Sequence, residues 1–264
     1  MKIVKKIFKF FILCFDRIKS ITKTKKYYTD KQNFYFGKIG LDRNKALTKI
    51  NNLNLNFDQN NYGMFSEHIT LFSAISLKKK ILNILEIGTF DGSNAHIMSK
   101  IFDEAKIETI DLDEKNEMFS ELYNRDKKSV LKNLYSKREK YFENLEKVEF
   151  KKLNSMELIY RDTKNFFDII WVDGHHGNPY VTVDIMNSLK LIKDNGLILC
   201  DDVLTSEYIS SYDPYNSNAS YFMLNALKKN NFIKFDLIYK RLSKRINDNR
   251  FSKKYIAVIK KLSK

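Results

Sequence analysis

Cysteine and proline are almost absent from this chain, with two of each in 264 residues, and glycine is scarce at eight. Two cysteines, Cys14 and Cys200, cannot staple a disulfide framework and suit a reducing compartment, so the sequence predicts a cytoplasmic protein. Four histidines and those two cysteines show no spacing that reads as a zinc site. The shortage of proline and glycine excludes collagen-like and low-complexity character, and no repeat of solenoid period is present. Long apolar runs are missing too. Near the N-terminus the uninterrupted stretch Phe10–Phe15 falls far short of the roughly 20 residues that a spanning helix needs. It does not read as a secretory signal either, because Asp16 and Arg17 stand where small cleavage-site residues belong. What remains is the composition of a globular protein, 43% hydrophobic and 30% charged, long enough for a sizeable core.

The net charge of +15 is confined to the two ends. Residues 1–31 carry +8 and residues 228–264 carry +11, whereas 32–227 carry −4. A nucleic-acid face would spread into the central region and no nucleic-acid module is appended, which argues against a nucleic-acid partner. In residues 1–26, Ile3, Ile7, Phe10, Phe11, Cys14, Phe15 and Ile18 recur near helical spacing with lysines between them. That pattern reads either as a helix packed on the protein's own body or as a basic amphipathic helix at an anionic membrane surface.

From residue 81 onward, apolar β-capable runs alternate with helical stretches. Strands are expected at 81–88, 106–113, 148–154, 167–173 and 196–203, with helices at 93–102, 116–145 and 180–193. Two further strands, 232–240 and 255–261, have no helix-length crossover between them and are expected to pair antiparallel. The fold class is therefore α/β, a doubly wound and mostly parallel Rossmann-like sheet of seven strands. Its expected organisation is a basic segment over 1–31, a helical lead-in over 32–80 and a ligand-binding domain over 81–264.

Ligands of such sheets sit beyond the carboxyl ends of the strands. Here those ends are Glu86 and Gly88, Asp111 and Asp113, Asn154 and Ser155, Asp173, and Asp201 with Asp202. Gly88 and Gly92 in "LEIGTFDGSNA" let a strand turn sharply into a helix whose amides face a ligand. Asp111, 23 residues after Gly88, is placed to hold a ribose diol, or else caps a helix.

The runs "ILEIGTFDGSNA", "IETIDLD" and "FDIIWVDGHHGNPYVTVDIMNSLKLIKDNGLILCDDV" resemble the class I S-adenosylmethionine-dependent methyltransferases. More narrowly they resemble the metal-dependent O-methyltransferase branch of macrocin and mycinamicin type, which acts on sugars and small molecules. The resemblance implies that Glu86, Gly88, Asp91 and Gly92, with Thr89 and Ser93 beside them, line the methionine half of S-adenosylmethionine. It implies Asp111 on the ribose, and Asn154, Ser155 and Met156 on the adenine. Asp173, Asp201 and Asp202 would ligate Mg²⁺, and His176 would be the general base. His175 has no such counterpart and reads either as a mere neighbour of that base or as a substrate contact.

The Tyr-, Ser- and Asn-rich stretch 205–222 suggests an acceptor loop suited to a sugar hydroxyl, and Glu67 with His68 in 61–72 are candidates to cover the cofactor. The expected activity is Mg²⁺-dependent O-methylation of a sugar, glycoconjugate precursor or secondary metabolite, with a homo-oligomer left open. A hydroxylase-type or RNA-directed enzyme of the same fold, or a non-catalytic membrane-associated partner, are the alternatives.

Overall fold

In a computed structural model, the structure describes residues 2–53, 55, 67–113, 115–122, 128–240, 251 and 253–262. Four helices come first: α1 (Lys2–Ile21), α2 (Lys25–Lys38), α3 (Arg43–Asn52) and α4 (Glu67–Ser76). Thr24 and Asp42 begin α2 and α3 by accepting from the amides of Tyr27 and Lys45, which satisfies donors that the first helical turn leaves open. Among the described residues, no helix is long and apolar enough to cross a membrane.

The alternating pattern then follows as β1 (Asn83–Ile87), α5 (Ser93–Ile101), β2 (Lys106–Asp111), α6 (Glu117–Leu122), α7 (Lys128–Phe142) and β3 (Val148–Lys152). A 3₁₀ segment (Ser155–Tyr160) leads to β4 (Phe167–Val172), α8 (Tyr180–Leu191), β5 (Ile192–Leu204), α9 (Ala219–Lys229), β6 (Ile233–Lys240) and β7 (Lys254–Lys261). The sheet has seven strands in the order β3-β2-β1-β4-β5-β7-β6. The first five are parallel, and β7 runs antiparallel to both β5 and β6, as the short last connection predicts. The expected helix over 116–145 is two helices, and residues 123–127 between them lie outside the described residues.

Continuous apolar strands are buried on both faces. On one face, Phe36, Ile50, Phe72 and Met98 from α2, α3, α4 and α5 pack against Trp171 and Ile84. On the other, Ile185 and Leu191 of α8 and Leu224 of α9 pack on Ile170 and Ile198. Strand order reverses between β1 and β4, and that reversal opens a crevice at their carboxyl ends.

Candidate active site

The crevice begins where β1 ends. Gly88 has φ +100, and a β-carbon there would lie 2.3 Å from the carbonyl oxygen of Asp173. Only glycine lets the ends of β1 and β4 approach this closely while the chain turns into α5. Gly92, at φ +81, starts that helix without a side-chain cap. Asp91 Oδ1 accepts instead from the backbone amide and hydroxyl of Ser93, at 3.1 and 2.7 Å.

Glu86 is fully buried at the foot of the turn. Its carboxyl accepts from Asn94 Nδ2 at 2.7 Å and from the hydroxyl of Thr109 at 2.5 Å, and Thr109 also meets Thr89 at 2.6 Å. Burial pushes Glu86 up to about 7, against the opposing pull of Thr109 and Asn94. The donors that resolve this acid are therefore neutral and internal. Glu86 and Thr89 brace the turn from below.

Asp111 closes β2. Its two oxygens accept from the amides of Phe90 and Leu112, each at 2.8 Å. Arg138 of α7 stands 3.8 Å from the same carboxylate and donates to the carbonyl of Phe90 at 2.6 and 2.9 Å. This buried arginine ties the β1 turn to the ribose-binding candidate. Among the lysines of α7, nothing in the sequence marks it.

Below Asp111 lies a cavity of about 60 Å³ lined by Gly88, Asp111, Asn154, Ser155, Tyr180 and Asp184, among others. Asn154 begins the 3₁₀ segment by accepting from the amide of Met156 at 3.0 Å, and the carbonyl of Ser155 accepts from Asn187 at 3.0 Å. Tyr180 donates to Met118 Sδ at 3.5 Å, and both side chains line the cavity. A ligand of nucleoside size needs roughly 300 Å³ or more, so these two side chains would have to part.

Asp184 is 1% exposed, its Oδ1 has no hydrogen-bond partner, and burial pushes it up to about 7. It is a functional candidate that the strand-end reading misses, since it belongs to α8. The available signal is an acid on the buried face of a helix, one turn from Val181 and Ser188.

At the far side of the crevice, Asp173, Asp201, Asp202 and His176 converge. Successive residues of a regular strand point to opposite faces, but the β5–β7 register shifts between Cys200 and Val203, and Asp202 has φ +50. This irregularity brings both aspartates to one cation. Lys240, at the end of β6, donates to Asp201 Oδ2 at 2.5 Å and Asp202 Oδ1 at 2.8 Å, and Lys254 of β7 donates to Asp202 Oδ2.

Burial alone would raise Asp202, but the ammoniums of Lys240 and Lys254 hold it far below the carboxylate range. Burial likewise opposes the charge on Lys240, and Asp201 and Asp202 hold it well above the usual lysine value. Burial and then the charge of Asp201 push Asp173 upward.

His176 Nε2 lies 3.7 Å from Asp173 Oδ1 and 3.9 Å from Asp202 Oδ2, too far for a hydrogen bond to either. Burial lowers the histidine, more than Asp202 raises it, which favours a neutral imidazole. His175 lines the cavity beside Asp111, with Nδ1 accepting from the amide of Gly177 at 2.9 Å and its ring against Tyr180.

The three aspartates expected to ligate Mg²⁺ do not fit a dication as they are arranged. Both oxygens of Asp202 and one of Asp201 are already engaged by ammonium groups, which bring the same two positive charges. Among the described residues, no group of three or more His, Cys, Asp or Glu is disposed to hold an ion.

The stretch 205–218 lies directly on the histidine pair. The carbonyls of Pro214 and Ser211 accept from the amides of His176 and Asn178, at 3.1 and 2.7 Å. Glu67 and His68 open α4. Glu67 is paired with Arg43 through two contacts of 2.7 and 2.8 Å, and the ring of His68 packs against Trp171 and Phe72. Burial, and then the charge of Lys240, lower His68 to about 3. Residues 61–66 lie outside the described residues.

Residues 85–203 match the family model of a methyltransferase domain. No curated protein sequence matches the chain. Among solved structures, the O-methyltransferase TomG of Streptomyces achromogenes, in complex with S-adenosylmethionine, superposes with a TM-score of 0.53 at 14% identity, covering 88% of this chain and 96% of its own. An O-methyltransferase of Bacillus cereus bound to S-adenosylhomocysteine gives 0.51 at 17%, covering 87% and 96%. The methyltransferase PaMTH1 of Podospora anserina, also bound to S-adenosylhomocysteine, gives 0.51 at 14%, covering 91% and 97%. Residues 85–203 are thus similar to a methyltransferase domain, and the seven-stranded sheet has the fold of the methyltransferases on which it superposes.

Proposed function

We propose that this chain is an S-adenosylmethionine-dependent O-methyltransferase whose acceptor is a hydroxyl of a sugar, glycoconjugate precursor or related polyol. The observation that carries the reading is the crevice itself. Asp111 lines it beside Gly88, and Gly88 packs on Asp173, whose carboxylate lies 3.7 Å from His176, at the switch in strand order where such sheets bind ligands.

When bound, S-adenosylmethionine supplies a sulfonium methyl that is electrophilic without further activation. The chain's residues supply the rest. Asp111 lines the cavity as an acceptor for a ribose diol, and Asp184 offers an unpartnered oxygen to a donor such as an adenine amino group. Neutral His176 would take the acceptor's proton at Nε2, leaving the hydroxyl oxygen as the nucleophile for that methyl, with the thioether as leaving group. Crevice and loop hold the two reactants in line, which turns an encounter into a positioned step.

The expected magnesium has no place in this sequence of events. A dication would have to displace Lys240 and Lys254 from Asp201 and Asp202. We assign the cation's electrostatic role to those two ammonium groups. Tyr208, Tyr212 and Tyr215, each exposed on the 205–218 stretch, support a polar, ring-shaped acceptor through stacking and hydrogen bonding.

The test is incubation with S-adenosylmethionine, an acceptor panel and EDTA, read by mass spectrometry. A product heavier by one methyl supports the reading. A product heavier by one oxygen identifies a hydroxylase, and transfer only to RNA identifies an RNA-directed enzyme.

A further inference from the structure

Helix α1 turns its apolar face away from the protein. At about 100° per residue, Val4, Ile7, Phe11, Phe15 and Ile18 fall within an arc of roughly 80°. Each of the five is more than half exposed. The opposite side, which carries Lys9 and Asp16, is the one directed at the body. The Lys9 ammonium lies 5.1 Å from the ring of Phe251, and Asp16 is buried. A surface helix ordinarily buries its apolar stripe on the core and leaves its charges in water. Here that arrangement is inverted, and the exposed stripe is contiguous rather than scattered.

The charge around this stripe selects its occupant. Residues 1–31 carry +8, and the ammonium of Lys19 lies 4.2 Å from the ring of Phe15. A second copy would bring a face of the same sign against it, because a two-fold interface pairs a patch with itself. An anionic lipid surface supplies both an apolar layer for the stripe and negative headgroups for the lysines, whose long stems reach past the apolar edge.

The same helix touches the acceptor stretch. The ring of Phe8 lies 6.3 Å from that of Tyr208, which also packs on Phe251. Tyr208 belongs to the 205–218 segment, whose Pro214 carbonyl accepts from the amide of His176.

We infer that α1 lies in the plane of an anionic membrane and sets the 205–218 segment at the lipid surface, so that the hydroxyl acceptor is an amphipathic molecule resident in that membrane. The acceptor half of this inference rests on the methyltransferase reading; the docking half does not.

The test is flotation of the full chain with vesicles of phosphatidylcholine alone and with one third phosphatidylglycerol, beside the doubly substituted Phe11→Glu, Ile18→Glu chain. Calorimetric titration with S-adenosylmethionine and sedimentation velocity accompany both proteins. The expected result is binding to the anionic vesicles only, weakened at least about tenfold by the loss of two inserted side chains, with cofactor affinity unchanged.

Failure of the intact chain to float with anionic vesicles overturns the inference, and so does equal flotation of the substituted chain. A dimer that the substitutions dissociate, without vesicle binding, assigns the face to a second copy and also overturns it. Flotation without any cofactor binding leaves docking established and removes the acceptor half together with the methyltransferase reading.

Discussion

Lys240 donates to Asp201 at 2.5 Å from the neighbouring end of the sheet, and with Lys254 it occupies the carboxylate oxygens that the resemblance reserves for a metal. The two lysines face each other across the β6–β7 pair, so a single strand register delivers both ammoniums to one place. The charge balance of the site is therefore built into the fold.

One consequence is insensitivity to chelation. Methyl transfer is expected to proceed unchanged in EDTA, and Mg²⁺ titrated into the intact protein is expected to give no calorimetric binding signal. Loss of activity in EDTA that Mg²⁺ restores would sink the assignment of Lys240 and Lys254 as the resident cations.

Removing the ammonium should be costly. Lys240→Met leaves Asp201 and Asp202 buried without their main counter-charge, a loss of roughly 3–5 kcal/mol in unfolding free energy. Adding Asp201→Asn and Asp202→Asn to that background should recover a large part of it. Urea denaturation of the wild type, Lys240→Met, the Asp201→Asn, Asp202→Asn pair alone and the triple variant measures the coupling, and simple additivity would contradict the pairing.

Legibility in the sequence follows from how local each signal is. The strand runs, and the acids that close them, are contiguous, so Glu86, Asp111, Asp173, Asp201 and Asp202 could be found without coordinates. Lys240 and Lys254 could not, because their meaning depends on the pairing of two strands separated by residues 241–253. Arg138 hides among the basic residues of α7 for the same reason. The amphipathic pattern of α1 is plain in the sequence, but which face it turns outward is a tertiary property.

The turn after β1 gives a steric prediction. Gly88→Ala places a methyl group 2.3 Å from the carbonyl oxygen of Asp173 at φ +100, so the ends of β1 and β4 must separate. A loss of about 2 kcal/mol or more is expected, with cofactor binding abolished. Wild-type stability in denaturant melts of this variant would show that the close approach is not required.

Buried acids predict the direction of the pH dependence of stability. Glu86, held near 7 in the folded protein against an ordinary value of 4.5, binds more protons folded than unfolded between those limits. Stability should therefore fall as pH rises from about 4.5 to about 7 and then level off, by an amount on the order of 3 kcal/mol from this residue. Asp184, also near 7, acts in the same direction. In Glu86→Gln the slope should shrink, and urea midpoints measured across this range that rise with pH through Glu86 would contradict the assignment.

The general base is tested by His176→Ala. The turnover rate should drop by roughly 10²–10⁴ while the affinity for S-adenosylmethionine is kept, because the residues lining the cavity beside Asp111 do not include His176. Near-full turnover would remove His176 from its role.

The most direct measurement is calorimetric titration of S-adenosylmethionine into the intact protein and into Asp111→Ala. Binding by the intact chain, weakened by roughly tenfold or more in the variant through loss of charge-assisted hydrogen bonds to the ribose, is the predicted result. Absence of binding to the folded, intact protein would contradict the account at its centre.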